Sequence, residues 1–432
     1  MTRGSRGAGE GILLSIGRRA FLGLSAAVPV ALAAPALAGR ARARLVVIGG
    51  GAAGASIARR LVHERTEVTL IEPRPVYTTC FASNLYLAGL RSLDSLRFGY
   101  DRIRALGVGM VVERATGVDR DLGRVALQDG GTVAYDRLVV APGIDFVPGS
   151  VPGWSPEAAS RMPHAFGGGD QLVLLRRQIE AMRPGGVFAM IAPPDPSRCP
   201  PAPYERVSMV AHLLTRINPT ARILIVDPKD SFADQALFEE GWQAHYSGMI
   251  ERLGPEMNAG NIAVDPDRMQ VLVDDVPEPV DVCNVIPAQQ AGAIARLAGL
   301  AGQGGWAATD PLSLQSRADP RIWVLGDSAD TAPMAKSAFS AHGQARVAAA
   351  AILAELGLAR PDDRPPVYHN ACWSVLAPGD AVRAADDYRP SARGITRIGG
   401  SISQMGEDAA TRRATWDEAQ GWYRAITSEI FG

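Results

Sequence analysis

Leu45-Val-Val-Ile-Gly-Gly-Gly-Ala-Ala-Gly54 decides how this chain folds. The four apolar residues read as a buried strand, and Ala52 to His63 continues with apolar residues at helical period. Val68-Thr-Leu-Ile71 is the next strand. It ends at Glu72, about twenty residues beyond the first glycine. Gly49, Gly51 and Gly54 stand between strand and helix at Gly-x-Gly-x-x-Gly spacing. Such a turn lets backbone approach a pyrophosphate at the helix N-terminus, while Glu72 accepts from ribose hydroxyls. The glycine pattern alone is weak, but its place in a βαβ unit with an acid in step makes it a dinucleotide site.

A second unit follows without its glycines. The strand Val187 to Ile191 runs into Ala192-Pro-Pro-Asp-Pro-Ser-Arg-Cys199-Pro-Pro, which has none left to admit a pyrophosphate. A helix from about Pro203 to Arg216 and the strand Arg222-Ile-Leu-Ile-Val226-Asp227 keep the βαβ rhythm. The nucleotide fold is retained and its phosphate loop is gone. Cys199 stands just before that helix, where the dipole and free N–H groups favour a thiolate. Glu205, in the first helical turn, has two readings: a capping acid, or a base beside the sulfur.

Two further segments bear on the first site. Tyr135-Asp-Arg-Leu-Val-Val-Ala-Pro-Gly143 and Arg321-Ile-Trp-Val-Leu-Gly326-Asp327 are strands closing on tight turns. With the glycine turn they resemble, in order, the motifs of the FAD-binding two-dinucleotide-domain family. That resemblance implies FAD, with Asp327 holding the ribityl chain. The expected fold class is α/β: two Rossmann-like three-layer nucleotide-binding domains, the FAD domain discontinuous, plus a small C-terminal α+β interface domain. The expected divisions are a leader at 1–38, FAD domain at 39–150 and 281–360, second nucleotide-fold domain at 151–280, and interface domain at 361–432.

The leader sets the compartment. Arg18-Arg19-Ala20-Phe21-Leu22 precedes a short Ala/Pro-rich apolar run ending at Ala36-Leu37-Ala38, a form signal peptidases accept. Twin arginines point to the bacterial route for folded, cofactor-bearing proteins and so to the periplasm. A formal net charge of −1 with no block of like charges argues against nucleic acid as a partner. No later segment is long and apolar enough to span a bilayer. The four cysteines, at 80, 199, 283 and 372, are too widely spaced for a zinc knuckle, and without Cys-x-x-Cys-His the chain carries no c-type haem attachment site. Cys283 lies in a hydrophobic strand pattern and reads as inert core. The six histidines are scattered and read as surface or core residues rather than metal ligands.

Three cysteine segments narrow the resemblance. Tyr77-Thr-Thr-Cys-Phe-Ala-Ser-Asn84, Arg198-Cys-Pro-Pro-Ala-Pro-Tyr-Glu-Arg206 and His369-Asn-Ala-Cys-Trp-Ser374 are similar to those of the flavoprotein subunit of flavocytochrome c sulfide dehydrogenase. The similarity extends over almost all of the chain after the leader. It implies that Cys80 joins the flavin 8α-methyl group, that Cys199 and Cys372 form a redox disulfide beside the ring, and that Glu205 is an acid/base. Hydrosulfide, as a nucleophile, opens a disulfide at one sulfur and expels the other as thiolate. Electrons then pass to FAD and on to a separate cytochrome c subunit.

Blander readings stand beside these. Cys199 and Cys372 suit a structural staple equally by type, Cys80 a buried thiol, and Trp373 simple packing. Pro287-Ala-Gln-Gln-Ala-Gly292 resembles a family loop near the flavin but carries Gln290 where a basic residue is expected. Lys336 is expected to open an apolar helix to Leu358 whose N-terminus faces the flavin O2 edge, or merely packs. Trp416, Trp422, Tyr423 and Phe431 close the chain on one amphipathic helix, whose Asp417, Glu418 and Glu429 suit protein contact better than an anionic bilayer. Quinone as acceptor, or a non-catalytic flavin-bearing accessory acting by thiol exchange, are the alternatives.

Overall fold

Ala43–Ile48 forms the middle strand of a five-stranded parallel sheet. Its neighbours run in the order Ile322–Val324, Arg137–Val140, Ala43–Ile48, Thr66–Ile71 and Gly109–Val111. Leu45, Val46, Val47 and Ile48 are all buried, as a sheet covered on both faces requires. Arg137–Val140 pairs directly with Ile322–Val324, so the insert between them leaves and returns at adjacent strands. The computed structural model describes residues 42–258, 260–392 and 394–432. The leader expected at 1–38 lies outside the described residues.

The turn after the first strand explains two of its glycines by packing. Gly49 has φ +99°, and a Cβ there would lie 2.3 Å from the Ala141 carbonyl oxygen. A Cβ on Gly54 would lie 1.7 Å from the Gly49 carbonyl oxygen, so the helix Ala52–Arg60 can seat against its strand only without one. Gly51 differs: a Cβ there would meet nothing closer than the Tyr77 ring at 3.6 Å. Packing does not demand glycine at 51, whereas close approach of a phosphate does.

A second, four-stranded parallel sheet has the order Ile250–Leu253, Arg222–Val226, Val187–Ile191 and Val282–Val285. The helix Ala202–Ile217 covers it with Val207, Val210, Ala211 and Leu214 fully buried. This moves the boundary expected at 280. Val282–Val285 pairs with Val187–Ile191, so the chain leaves the second sheet only after those residues, and Cys283 belongs there. Burial pushes the Cys283 thiol up to about 12, as inert core requires. Tyr204 and Phe232 stack at 3.6 Å, and buried Asp227 accepts from Tyr204 at 2.6 Å and pairs with Lys229 at 2.9 Å and Arg252 at 3.1 Å.

The C-terminal part is an antiparallel sheet of Tyr368–Ala377, Asp380–Ser391 and Gly394–Ile402, followed by the helix Ala409–Phe431. Phe431 lies against Tyr77 and Phe98, with ring centroids 5.4 and 5.1 Å away. Tyr423 donates to the Ser95 carbonyl at 2.8 Å and shares a hydrogen bond with Thr79. The inner face of this helix therefore docks on the segment that carries Cys80. The helix expected to open at Lys336 and reach Leu358 is Ala338–Glu355. Ser337 caps it by accepting from the Ser340 N–H, which leaves Lys336 outside. Among the described residues no helix is long and apolar enough to cross a membrane.

Candidate active site

The turn motifs converge on a groove of about 1070 Å³ lined by Gly49, Gly51, Glu72, Gly143, Gly326 and Asp327, with Cys80 at one end. Buried Glu72 accepts from the Gly50 N–H at 2.8 Å and from Arg74 at 2.9 Å, which fixes its carboxylate beside the helix N-terminus. Gly143 and Gly326 hold φ of +75° and +68° at the two strand ends. Burial raises the Asp327 carboxyl, against the pull of Arg198 and Lys336. A glycine that packing does not require, an acid in position for ribose and a half-buried aspartate fit a flavin dinucleotide. Two assigned residues do not line the groove. Gly54 acts behind the turn through packing. Lys336 turns away: its ammonium donates to the Ala329 carbonyl at 2.7 Å and lies 3.8 Å from the Trp306 ring centroid. Burial brings it down to about 8.

A second cavity of about 930 Å³ is lined by Cys80, Cys199, Glu205, Cys372, Trp373 and Trp422. It shares Cys80, Phe166, Arg198 and Ala338 with the groove, so Cys80 stands where the two meet. All four cysteines are free thiols, and the expected Cys199–Cys372 pair is brought together as a dithiol in which the two groups share a hydrogen bond. Segments 173 residues apart meet because the strand Tyr368–Ala377 packs against the helix Ala202–Ile217. Trp373 stacks on Trp422 at 5.1 Å within the wall of this cavity.

The surroundings favour a thiolate at Cys372 rather than at Cys199, where the sequence led one to expect it. The hydrogen bond from Cys199 holds the Cys372 thiol below its ordinary range. The same bond, together with burial, pushes Cys199 well up. The helix start offers Cys199 little help, because Pro201 and Pro203 have no N–H and that of Ala202 already donates to the Cys199 carbonyl at 2.8 Å. Cys199 itself is held at φ +49°, a left-handed conformation costing on the order of 1 kcal/mol for a residue with a side chain. Its N–H donates to the Lys336 carbonyl at 2.7 Å.

Glu205 faces the sulfurs from the first turn of that helix. Its carboxylate accepts from Asn84 Nδ2 at 2.7 Å and from the Val375 N–H at 3.1 Å, and burial raises its pKa against those donors. Asn84 is held in turn by Arg206, whose Nε donates to Asn84 Oδ1 at 3.1 Å. Arg206 is 2% exposed and spends its other donors on His164, Ala165 and Asn284. Burial lowers it to about 9. Arg198 lies 4.0 Å from Asp327 and over the Phe166 ring at 4.8 Å, at the junction of the two cavities. Asn84, Arg198, Arg206 and Asn370 escaped assignment from sequence, although all lie within the cysteine segments quoted above. A buried arginine beside an acid was the available signal.

Comparison with known proteins matches residues 172–287 to the central region of the sulfide dehydrogenase (flavocytochrome c) flavoprotein chain. Residues 364–431 match the flavin-binding region of flavocytochrome c sulphide dehydrogenase, and residues 43–166 match pyridine nucleotide-disulphide oxidoreductase. Among solved structures, the sulfide:quinone oxidoreductase of Aquifex aeolicus is 18% identical with a TM-score of 0.68, over 90% of this chain and 91% of that one. An NAD-dependent persulfide reductase from A. fulgidus is 18% identical with a TM-score of 0.60, over 89% and 77%. The covalent putidaredoxin reductase–putidaredoxin complex gives 18% and 0.62, over 87% and 94%. At such identity the likeness is one of fold.

Proposed function

From its place among the flavocytochrome c sulfide dehydrogenase flavoproteins, the family to which the chain belongs, we propose that it is a periplasmic FAD-dependent sulfide dehydrogenase that reduces a c-type cytochrome. One observation carries the reading: Cys199, Cys372 and Glu205 line a cavity that joins the dinucleotide groove at Cys80. In the oxidised enzyme the two thiols are one disulfide. Hydrosulfide adds to one sulfur and the other leaves as thiolate, giving a persulfide without any external oxidant. Glu205 holds or takes the proton that this exchange moves, being half-buried, raised in pKa and within the same cavity.

The residues that would hold FAD are Gly51 and Glu72 at the pyrophosphate and ribose, Asp327 at the ribityl chain, and Cys80 as covalent tether. FAD supplies a two-electron sink that releases electrons singly, as a haem acceptor requires. Trp373 and Trp422 wall the sulfurs from water. Export by the twin-arginine route, after flavin loading, suits a cofactor held this way.

Anaerobic assay of the purified, flavin-loaded protein tests the proposal. Sulfide should drive reduction of a c-type cytochrome. Reduction of a short-chain quinone instead would move the acceptor to the membrane pool, and reduction of neither would leave a thiol-exchange accessory.

A further inference from the structure

Asn370 is 6% exposed and lies on the strand of Cys372, two residues before it, against the start of the helix Ala338–Glu355. Ser337 Oγ accepts the Ser340 N–H at 3.0 Å as the helix cap, so its own proton is free to donate to Asn370 Oδ1 at 2.6 Å. Ser340 Oγ lies 3.0 Å from the same oxygen. Two hydroxyls on one carbonyl oxygen fix which way the amide faces. Its Nδ2 is then presented to Cys372 Sγ at 3.7 Å.

Resting on the sulfide dehydrogenase reading, we infer that Asn370, clamped by Ser337 and Ser340, sets the direction in which the disulfide opens: hydrosulfide bonds to Cys199, and Cys372 leaves as thiolate. The new S–S bond joins the sulfide sulfur to Cys199 Sγ, the Sγ–Sγ bond breaks, and its electron pair goes to Cys372 Sγ. The hydrosulfide proton passes from the terminal sulfur to the Glu205 carboxylate in the same cavity. A leaving sulfur departs more readily the better its negative charge is met, and an amide N–H meets it at Cys372. Among the described residues Cys199 has no equivalent amide donor. Its helix opens through Pro201 and Pro203, Arg198 bears on it through charge alone, and the Glu205 carboxylate opposes negative charge on both sulfurs, so the amide of Asn370 is what distinguishes them. Asn370 is thus a positioning residue acting through Cys372.

The test treats the full-length, flavin-loaded enzyme with one equivalent of sulfide without oxygen, quenches with an alkylating agent and maps peptides without reductant. The alkylated persulfide should sit on Cys199 and plain alkylation on Cys372. Asn370→Asp keeps the volume and both serine partners and turns the donor facing Cys372 into a carboxylate oxygen that opposes the thiolate. In the sulfide-free reduced wild type, Cys372 should alkylate at lower pH than Cys199. In Asn370→Asp that order should be lost, and the persulfide ratio should shift toward Cys372 by at least about tenfold, the size of one hydrogen bond to a charged sulfur. Persulfide on Cys372 in the wild type, or an unchanged alkylation order in the variant, overturns the inference and leaves the activity intact. Persulfide on neither cysteine removes the sulfide dehydrogenase reading itself and this inference with it.

Discussion

Asn84→Ala should move the acidic limb of the pH profile for sulfide oxidation upward. Asn84 Nδ2 donates to Glu205 at 2.7 Å, inside a cavity wall, and favours the carboxylate. A hydrogen bond to a charged group contributes about 1.5–3 kcal/mol, and one pKa unit is about 1.4 kcal/mol, so its loss raises Glu205 by about 1–2 units. Water entering the space left by the amide recovers part, which makes about 1 unit the expected shift. Glu205 is a base only when ionised, so kcat/KM for sulfide should fall at low pH and converge with wild type well above the limb. The ionisation of sulfide itself is common to both proteins and cancels in the comparison. Asn84→Asp, which sets a like charge beside Glu205, should shift the limb further. Flavin absorbance checks that both variants are loaded. An unchanged limb in both loaded variants would refute Glu205 as the titrating base.

Gly54→Ala forces a Cβ to within 1.7 Å of the Gly49 carbonyl oxygen. Overpacking of this kind costs about 1–3 kcal/mol, so flavin content and melting temperature should both drop; unaltered values of both would contradict the packing role. Cys80→Ala should keep flavin bound and lose the covalent link, which acid precipitation reads as yellow colour moving from pellet to supernatant. Colour that stays with the pellet assigns the tether elsewhere. NADH should neither reduce the flavin nor compete with sulfide, because the loop after Val187–Ile191 has no glycine to admit a pyrophosphate and the Asp227 carboxylate is already paired with Lys229 and Arg252. Bleaching by NADH under anaerobic conditions would show that this loop admits the nucleotide.

The first βαβ unit was legible because its signals are local: four apolar residues, glycines at fixed spacing and Glu72 all act within one turn of chain. Cys199, Cys372 and Glu205 were legible through the resemblance of their segments, and the structure brings them into one cavity. What escaped depends on segments meeting. Asn84 gains its meaning from Glu205 and Arg206, more than a hundred residues on, and Asn370 from two serines of another helix. An uncharged amide carries no sequence signal of such a role. Lys336 was misplaced because a serine cap, not a lysine, begins the helix. Val282–Val285 reads as a buried strand, but an apolar run does not say which of two parallel sheets it joins. The C-terminal strands were only partly read. Gly394–Ile402 leaves most of its side chains exposed and Asp380–Ser391 is bulged near Asp387, so neither shows clean alternation.

The central claim is that electrons enter through the Cys199–Cys372 sulfurs. Anaerobic titration of the full-length protein with sulfide, with flavin absorbance and non-reducing peptide mapping followed together, tests it most directly. The first equivalent should convert the 199–372 disulfide into a persulfide and a thiolate, further sulfide should carry off the sulfane sulfur and bleach the wild-type flavin as that disulfide re-forms, and Cys372→Ser should not bleach. Bleaching of Cys372→Ser at the wild-type rate would contradict the account.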